Sequence, residues 1–249
     1  MTPLCLGHRG HRLPQWGEVE NTLAAFDRAL AAGCDGLELD LRHTGDGRIV
    51  IHHDDMLRHN HDAVPVAEVN LRTLRRLHPG LATLEQVLRR YRDRAWLDLE
   101  VKTPEVAPGL VAALERWPPA LGFVVSSFDG PTLQRLAALA PDLPLCLNLR
   151  RPASLRRLRH APVSWIAPHQ ASCTAWYVRR LRAQGWRVLV WTVNQPARMR
   201  LLARAGADAL VSDNPYVLVD TVKGLQLAAR SLQLAPRHPA EYEPTRFTP

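Results

Sequence analysis

The 249-residue sequence has few cysteines and lysines, and it has no apolar run of the length that crosses a membrane. The four cysteines stand far apart and form no CxxC pair, so nothing in their spacing indicates disulfides. Cys5, Cys34 and Cys146 lie within or beside apolar runs, which favours buried thiols. Residues 2–7 are too few to form the apolar region of a secretory signal. These absences predict a cytoplasmic protein with no stable membrane insertion.

Positive charge is supplied almost entirely by arginine: the net charge is +8, and 30 of the 32 basic residues are arginine. Such a chain could attract nucleic acid or anionic lipid. The arginines, however, are scattered along predicted helices and form no strip interleaved with aromatic residues. We therefore interpret them as solvated helix faces and expect no nucleic-acid partner. The charge is compatible with a small substrate that carries a phosphate.

The chain alternates short apolar runs with segments of helical periodicity. Thr83 is a plausible N-cap, and Gln86 three residues later would complete a capping box. Eight strands are predicted at residues 4–7, 36–41, 95–101, 122–126, 143–148, 163–167, 186–192 and 209–212. Helices are predicted at residues 20–32, 84–92, 106–117, 131–140, 153–159, 175–183 and 196–205, with another after residue 215.

Eight strands, each followed by a helix, predict a single-domain α/β fold, a (β/α)8 barrel of the TIM type. An open doubly wound sheet is the alternative. We expect the barrel to occupy residues 1–230 and a proline-rich tail to occupy residues 231–249. Residues 59–80 are the one connection without clear periodicity, and we expect them to form an irregular excursion over the barrel mouth.

Three carboxylates stand at the ends of two predicted strands. Glu38 and Asp40 are two residues apart and therefore point to the same face of a strand, and Glu100 ends the next barrel strand. Burying carboxylates in an apolar strand is costly unless a cation or an ion pair compensates. Hard oxygen ligands suit Mg²⁺ or Ca²⁺. The pattern predicts a site for one divalent cation, with buried ion pairs as the alternative.

Two histidines are predicted to flank this site. His8 ends the first strand, and His53 ends a short extension after the second. Histidines on opposite sides of a phosphorus atom can serve as general base and general acid near neutral pH. Either could instead be a structural histidine. The nearby imidazoles also offer a competing zinc site formed by His52, His53, His59 and His61.

Two cations stand beside the acidic residues. Lys102, one of only two lysines, would stabilise charge that develops on a phosphate oxygen. Arg9 would hold the same group through its guanidinium fork. An ordinary ion pair between Glu100 and Lys102 is the alternative interpretation of that spacing.

Four further residues are candidates for supporting or substrate-contacting roles. Glu20 and Asn21 open the first helix, where Glu20 could reach the cation site or cap the helix. Phe128 and Trp191 follow predicted strands and could form an apolar wall for the leaving alcohol, although core packing explains them equally well. Residues 213–215 most simply begin the last helix.

Several stretches together resemble the glycerophosphodiester phosphodiesterase family and cover almost the whole chain in the expected order. They are GHRG (7–10), ENTLAAFDRALAAGCDGLELDLRHTGDGRIVIHHDDML (20–57), TLEQVL (83–88), LDLEVK (97–102), VVSSFD (124–129), VWTVN (190–194) and GADALVSDNP (206–215). The resemblance implies a (β/α)8 barrel that uses a divalent cation to hydrolyse glycerophosphodiesters to glycerol 3-phosphate and an alcohol.

Matched position by position, the resemblance implies a role for seven residues. They are the catalytic histidines His8 and His53, the metal ligands Glu38, Asp40 and Glu100, and the phosphate-side residues Arg9 and Lys102. The chain departs from the family pattern at Val19, where proline is usual, and the loop at residues 10–18 looks long. A lysophospholipase-D-like activity, with Pro14 and Trp16 near an acyl chain, therefore stays open. The rival from another class is a nonenzymatic phosphodiester-binding module.

Overall fold

The structure is a computed structural model that describes residues 2–12, 19–59 and 62–234. Eight strands run parallel in the order β1-β11-β10-β9-β8-β7-β6-β2, and β1 also pairs with β2, which closes a barrel. The short strand β3 adds an antiparallel edge to β2. The strands are β1 (Leu4–His8), β2 (Gly36–His43), β3 (Ile49–Ile51), β4 (Met56–His59), β5 (Asp62–Pro65), β6 (Trp96–Val101), β7 (Phe123–Ser127), β8 (Leu145–Leu149), β9 (Trp165–Pro168), β10 (Arg187–Val190) and β11 (Ala209–Ser212). The predicted barrel is confirmed.

Helices surround the barrel and begin at polar caps. Thr83 and Gln86 form the expected capping box at the start of one helix. At the start of another helix, the Asp129 side chain accepts a hydrogen bond from the backbone N–H of Thr132. The helices are α1 (Leu23–Ala31), α2 (Leu71–Leu77), α3 (Leu84–Tyr91), α4 (Val106–Arg116), α5 (Gly130–Leu139), α6 (Leu155–Leu158), α7 (Ala175–Arg182), α8 (Pro196–Ala205) and α9 (Pro215–Leu234).

Alternation along β2 and β6 separates the apolar core from the site. The odd-numbered residues of β2, Leu37, Leu39 and Leu41, are fully buried in the cluster that also contains Phe26 of α1. The even-numbered side chains face the barrel interior, where Trp96 of β6 packs in a separate apolar layer. Glu38 and Asp40 therefore stand above a dry interior layer, at the carboxyl ends of the strands.

Residues 59–80 are more regular than the sequence indicated. The expected irregular excursion is instead the hairpin β4–β5, a short 3₁₀ helix at Val66–Glu68, and helix α2. Leu57, Val66 and Leu74 are buried together, so the segment has its own small core. Its strands are only four residues long, which is too short for a clear alternation of polar and apolar residues.

Some sequence expectations fall on residues outside the described ranges, namely Pro14, Trp16, His61 and the proline-rich stretch from residue 235 to residue 249. Helix α9 extends as far as Leu234. Among the helices of the described ranges, none combines the length and apolar character needed to cross a membrane.

Candidate active site

Three buried carboxylates converge at the barrel mouth. Asp40 and Glu100 occupy the same register position of neighbouring strands, and Glu38 precedes Asp40 on the same face of β2. One oxygen from each of the three lies within 4.8 Å of the others. All three side chains are buried, with Asp40 only 1% exposed. This acidic cluster has the donor type and spacing that a divalent cation requires.

Lys102 lies directly after β6 and partners two members of the acidic cluster. Its Nζ is 2.8 Å from Oδ1 of Asp40 and also donates to Oε1 of Glu100. Burial alone would raise the pKa of Asp40, but Lys102 and Arg9 outweigh it and lower that pKa to about 2. The ion pair between Glu100 and Lys102 therefore exists, and it is part of the acidic cluster rather than an alternative to it.

The other two carboxylates are less well compensated. Burial, reinforced by the neighbouring carboxylates, raises the pKa of Glu38 well above its ordinary range. Burial and Asp40 also raise the pKa of Glu100, against the opposing effect of Lys102. Two nearby cations are thus too few for the negative charge of the acidic cluster. A divalent cation on these oxygens would supply the missing compensation, so the residues present fit such an ion.

Backbone conformation at two polar residues is adapted to this cluster. Arg9 and Asn21 have φ values of 55° and 60°, which non-glycine residues rarely adopt. In that conformation the backbone N–H of Arg9 donates to Glu38, and the side-chain amide of Asn21 donates to Asp40 at 2.8 Å. The strain is thereby coupled to the orientation of two carboxylates.

The Arg9 guanidinium is held between the first loop and the acidic cluster. Its Nη1 donates to Glu20 at 2.6 Å, whereas its Nε lies 3.2 Å from Asp40 and makes no hydrogen bond within the described residues. Glu20 therefore orients Arg9. Thr22 caps helix α1 through a bond from Ala25 N, so capping by Glu20 is not observed. The buried Nε is a donor available to an anion.

His8 ends β1 and is held by Asp213, which directly follows the neighbouring strand β11. Its Nδ1 lies 2.6 Å from Oδ1 of Asp213, and its Nε2 lies 3.8 Å from Glu38. Asp213 also accepts a bond from Asn194 at 2.6 Å. Burial would raise the pKa of Asp213, but the contacts with His8, Asn194 and Arg12 lower it to about 2. An ionised carboxylate thus holds His8 with Nε2 directed toward the acidic cluster.

His53 lies beyond β3, at the rim of the same mouth. Its Nδ1 is 2.7 Å from Oδ1 of Asp54, and its backbone carbonyl accepts a bond from Arg42. Burial lowers the pKa of His53, although Asp40 opposes that change. The negative charge of Asp40 thus acts on this imidazole.

Three aromatic side chains, which directly follow β7, β9 and β10, lie together at the barrel mouth. Trp191 packs edge-on against Phe128, with ring centroids 5.3 Å apart, and against His169 at 4.8 Å. Its Nε1 donates to the carbonyl of Ala167, which fixes the ring. Trp191 also lines a small cavity together with His8, Glu38 and Glu100. We call Phe128, His169 and Trp191 the aromatic wall.

The competing histidine zinc site is not formed by the residues that the structure describes. Among the described residues, the potential metal ligands whose donor atoms converge are those of the acidic cluster. His52 lies near the carbonyl of Met56, and His53 near Asp54, while His59 is exposed on β4. His61 is outside the described residues.

The sequence pattern does not indicate two residues that hold His8 in place, Asp213 and Asn194. Asp213 was assigned to the start of α9, because an Asp-Asn-Pro triplet is a common helix-start signal. Asn194 belongs to the VWTVN stretch, for which the sequence alone indicates no role. It contacts Asp213 and Ser212 where β10 and β11 end side by side. A usable signal existed: a polar residue directly after a barrel strand, the same signal that identified Lys102.

Fold and site together define a class of protein: a (β/α)8 barrel whose mouth combines a buried acidic cluster with two carboxylate-held histidines. Comparison with known families agrees with this class. A model of the glycerophosphoryl diester phosphodiesterase family matches residues 8–217. The chain belongs to this family, and it is therefore an enzyme of the phosphodiesterase class.

Known relatives match over nearly their whole length. A glycerophosphodiester phosphodiesterase of Caldanaerobacter subterraneus subsp. tengcongensis is 28% identical over 245 residues, covering 90% of this chain and 99% of the relative. A solved phosphodiesterase of Oleispira antarctica, in complex with the product sn-glycerol-3-phosphate, is similar with a TM-score of 0.79 and 28% identity, covering 89% of this chain and 97% of the other. A glycerophosphodiester phosphodiesterase of Thermotoga maritima gives a TM-score of 0.75 at 26% identity, covering 88% and 98%.

Proposed function

We propose that this enzyme hydrolyses glycerophosphodiesters to glycerol 3-phosphate and an alcohol with the help of one divalent cation. The observation that carries the proposal is the convergence of oxygens from Glu38, Asp40 and Glu100, two of which line one small cavity together with His8. The solved Oleispira antarctica relative is in complex with the product sn-glycerol-3-phosphate, which is a small molecule.

Glu38, Asp40 and Glu100 would hold the cation, and their oxygen donors suit Mg²⁺ or Ca²⁺. When bound, such an ion neutralises phosphate oxygens and polarises the phosphorus centre. Lys102 contributes positive charge at the same place, because its Nζ lies against Asp40 and Glu100. The Nε of Arg9, which makes no hydrogen bond within the described residues, would donate to the phosphate from the other side.

His8 and His53 carry the two proton transfers. An oxygen nucleophile, either water or a neighbouring substrate hydroxyl, forms a bond to phosphorus and gives its proton to one imidazole. The bond from phosphorus to the alcohol oxygen breaks, and the other imidazole protonates that oxygen. With water as the nucleophile, the products balance directly as glycerol 3-phosphate and an alcohol. The route through a substrate hydroxyl requires a second step, in which water opens a cyclic phosphate.

The protein supports these transfers by orientation. Asp213 accepts a hydrogen bond from Nδ1 of His8, and Asp54 accepts one from Nδ1 of His53. Nε2 of each imidazole is then available to the substrate. Phe128 and Trp191 would pack against an organic arm of the diester, because Trp191 lines the same cavity as His8 and Glu38 and packs against Phe128.

The proposal is tested by measuring release of glycerol 3-phosphate from glycerophosphoglycerol with Mg²⁺, with Ca²⁺ and with EDTA. We expect turnover that EDTA abolishes, and a loss of about 100-fold or more in His8→Ala, His53→Ala and Glu100→Gln. His160→Ala is the matched control, because His160 is exposed and remote from the barrel mouth. Turnover that survives EDTA would refute the cation. Turnover of lysophospholipids alone would replace the substrate assignment.

A further inference from the structure

An exposed guanidinium stands at the outer end of the aromatic wall. Arg150 directly follows β8, and its guanidinium carbon lies 4.7 Å from the centroid of the Phe128 ring. Stacking on an aromatic face holds an arginine by its flat side and leaves the N–H groups at its edge available. Arg150 is exposed, so those donors face solvent at the mouth.

The aromatic wall forms a continuous surface from the reacting groups to Arg150. Trp191 lines the cavity that contains His8 and Glu38. Phe128 packs edge-on against Trp191, and Arg150 stacks on Phe128. One arm of a diester bound with its phosphorus at the acidic cluster would therefore run along two aromatic rings and end at a cation.

Arg150 lacks a carboxylate partner within the described residues, in contrast to other arginines near the mouth. Arg9 and Arg12 are both paired with Glu20. The carboxylates nearest to the histidines, Asp54 and Asp213, follow β3 and β11. The strand β8 lies four positions from β1 in either direction around the barrel, so Arg150 is on the side opposite His8. Among the described residues, Arg150 therefore presents a positive charge without an ion-pair partner on this side of the mouth.

We propose that the enzyme selects diesters whose alcohol carries a negatively charged group, a carboxylate or a second phosphate, and that Arg150 is the residue that recognises it. The inference rests on the proposed hydrolysis of glycerophosphodiesters and specifies its substrate class. The edge of the guanidinium offers paired donors that match either anion in a bidentate arrangement. A cationic alcohol such as choline or ethanolamine would be repelled at the same place.

Three diesters of glycerol 3-phosphate of nearly equal size provide the test. Their alcohols are 3-hydroxypropanoate, which is anionic, 3-hydroxypropanamide, which is neutral, and 3-aminopropan-1-ol, which is cationic. We expect kcat/KM to fall in that order, with the anionic diester favoured over the neutral one by roughly ten- to 100-fold, as for a charge-assisted hydrogen bond. High salt should reduce the preference, because Arg150 is exposed to solvent.

Variants of Arg150 then assign the preference to this residue. Arg150→Gln should bring the anionic-to-neutral ratio to within about threefold of unity, and Arg150→Glu should favour the cationic diester. The control is Arg179→Gln, an exposed arginine on α7, which should keep the wild-type ratio.

The outcomes separate the two proposals. Absence of turnover with all three diesters, in the presence of divalent cation, would refute the proposed function itself. Turnover without an anionic preference would overturn the substrate class while leaving the hydrolytic function intact. A preference that persists in Arg150→Gln would overturn the role of Arg150.

Discussion

Both histidines at the barrel mouth are held by a carboxylate at Nδ1. For His8 the partner is Asp213, whose second oxygen is fixed by Asn194, so the imidazole is anchored through a chain of two side chains. A carboxylate at Nδ1 fixes the tautomer and the orientation of the ring. The geometry thus directs Nε2 of His8 toward the acidic cluster.

Replacing Asp213 with asparagine should lower kcat by roughly ten- to 100-fold, because the acid–base contribution of His8 is weakened while its ring is retained. KM should change little, since Asp213 lies behind His8. Steady-state kinetics on glycerophosphoglycerol, followed from pH 5 to pH 9, would measure both quantities.

Asp93→Asn is the matched control, because it makes the same chemical change at an exposed carboxylate remote from the mouth. Asp213→Glu should recover part of the lost kcat by restoring a carboxylate. Equal kcat in wild type and Asp213→Asn, with an unaltered pH profile, would show that Asp213 is only structural.

For individual residues, the sequence indicates the acidic cluster but not the residues that orient the cluster and His8. Glu38 and Asp40 were identifiable because a two-residue spacing puts both side chains on one face of a strand. The bond between His8 and Asp213 joins residues 205 positions apart, and no local pattern encodes it. The left-handed conformation of Arg9 and Asn21 is likewise set by their tertiary contacts with Glu38 and Asp40.

Strands β2 and β6 together determine the spacing of the carboxylates. They pair over six residues, from Gly36 opposite Trp96 to Leu41 opposite Val101. At Gly36 the two backbones approach so closely that an added Cβ would lie 2.1 Å from the carbonyl oxygen of Trp96. A glycine is therefore required where β2 begins.

Gly36→Ala should destabilise the fold by about 3 kcal/mol or more, at the upper end for overpacked sites, because the contact is with backbone and cannot be relieved by a rotamer change. The same shift should move Asp40 relative to Glu100 and weaken cation binding. Urea unfolding and calorimetric titration with Mg²⁺ or Ca²⁺ would measure the two effects.

Gly130→Ala serves as the control, since nothing lies within 4 Å of a Cβ added there. It should leave stability nearly unchanged, or increase it slightly through better helix propensity at the start of α5. Similar stability of the two variants would contradict the assigned close approach.

Element prediction succeeded where apolar runs were long and ended at polar residues. All eight barrel strands were expected from such runs, and the capping box at Thr83 was legible because its two partners are three residues apart. The β4–β5 hairpin and α2 were missed, since short strands with exposed residues such as Arg58 and Ala63 carry little periodic signal.

Within the described residues, the barrel of the molecule buries more carboxyl groups than nearby cations can pair. Beneath the acidic cluster, Asp98 is 3% exposed and accepts a bond from Ser126. Burial raises the pKa of Asp98 from its ordinary 3.8 to about 7; Glu100 and Asp40 add to that rise, and Ser126 opposes it. The pKa values of Glu38 and Glu100 are also raised.

The excess of buried carboxyl groups makes the stability of the cation-free protein dependent on pH. Between pH 4 and pH 7 the folded protein retains a proton on Asp98 that the unfolded chain has released, so the contribution of Asp98 to stability declines as the pH rises through that range. Calorimetry in EDTA should therefore give a higher Tm at pH 5 than at pH 8. Adding Mg²⁺ or Ca²⁺ should raise Tm more at pH 8.

Asp98→Asn isolates the effect, because it removes the charge and keeps an acceptor for Ser126. Its gain in Tm should be larger at pH 8 than at pH 5, by roughly 2–4 °C for each kcal/mol of relief. Asp93→Asn, on the surface, should show no such difference. A lower Tm for Asp98→Asn at pH 8 would mean that the charge on Asp98 stabilises the fold.

The barrel closes where β1 meets β11, and the hydrogen bond between His8 and Asp213 spans that seam. During synthesis His8 is translated with the first barrel strand, whereas Asp213 directly follows β11 and is translated only after all eight barrel strands. A nascent chain can thus contain the whole acidic cluster and still lack an anchored His8. The anchoring of His8 therefore depends on the joining of the first and last strands of the barrel.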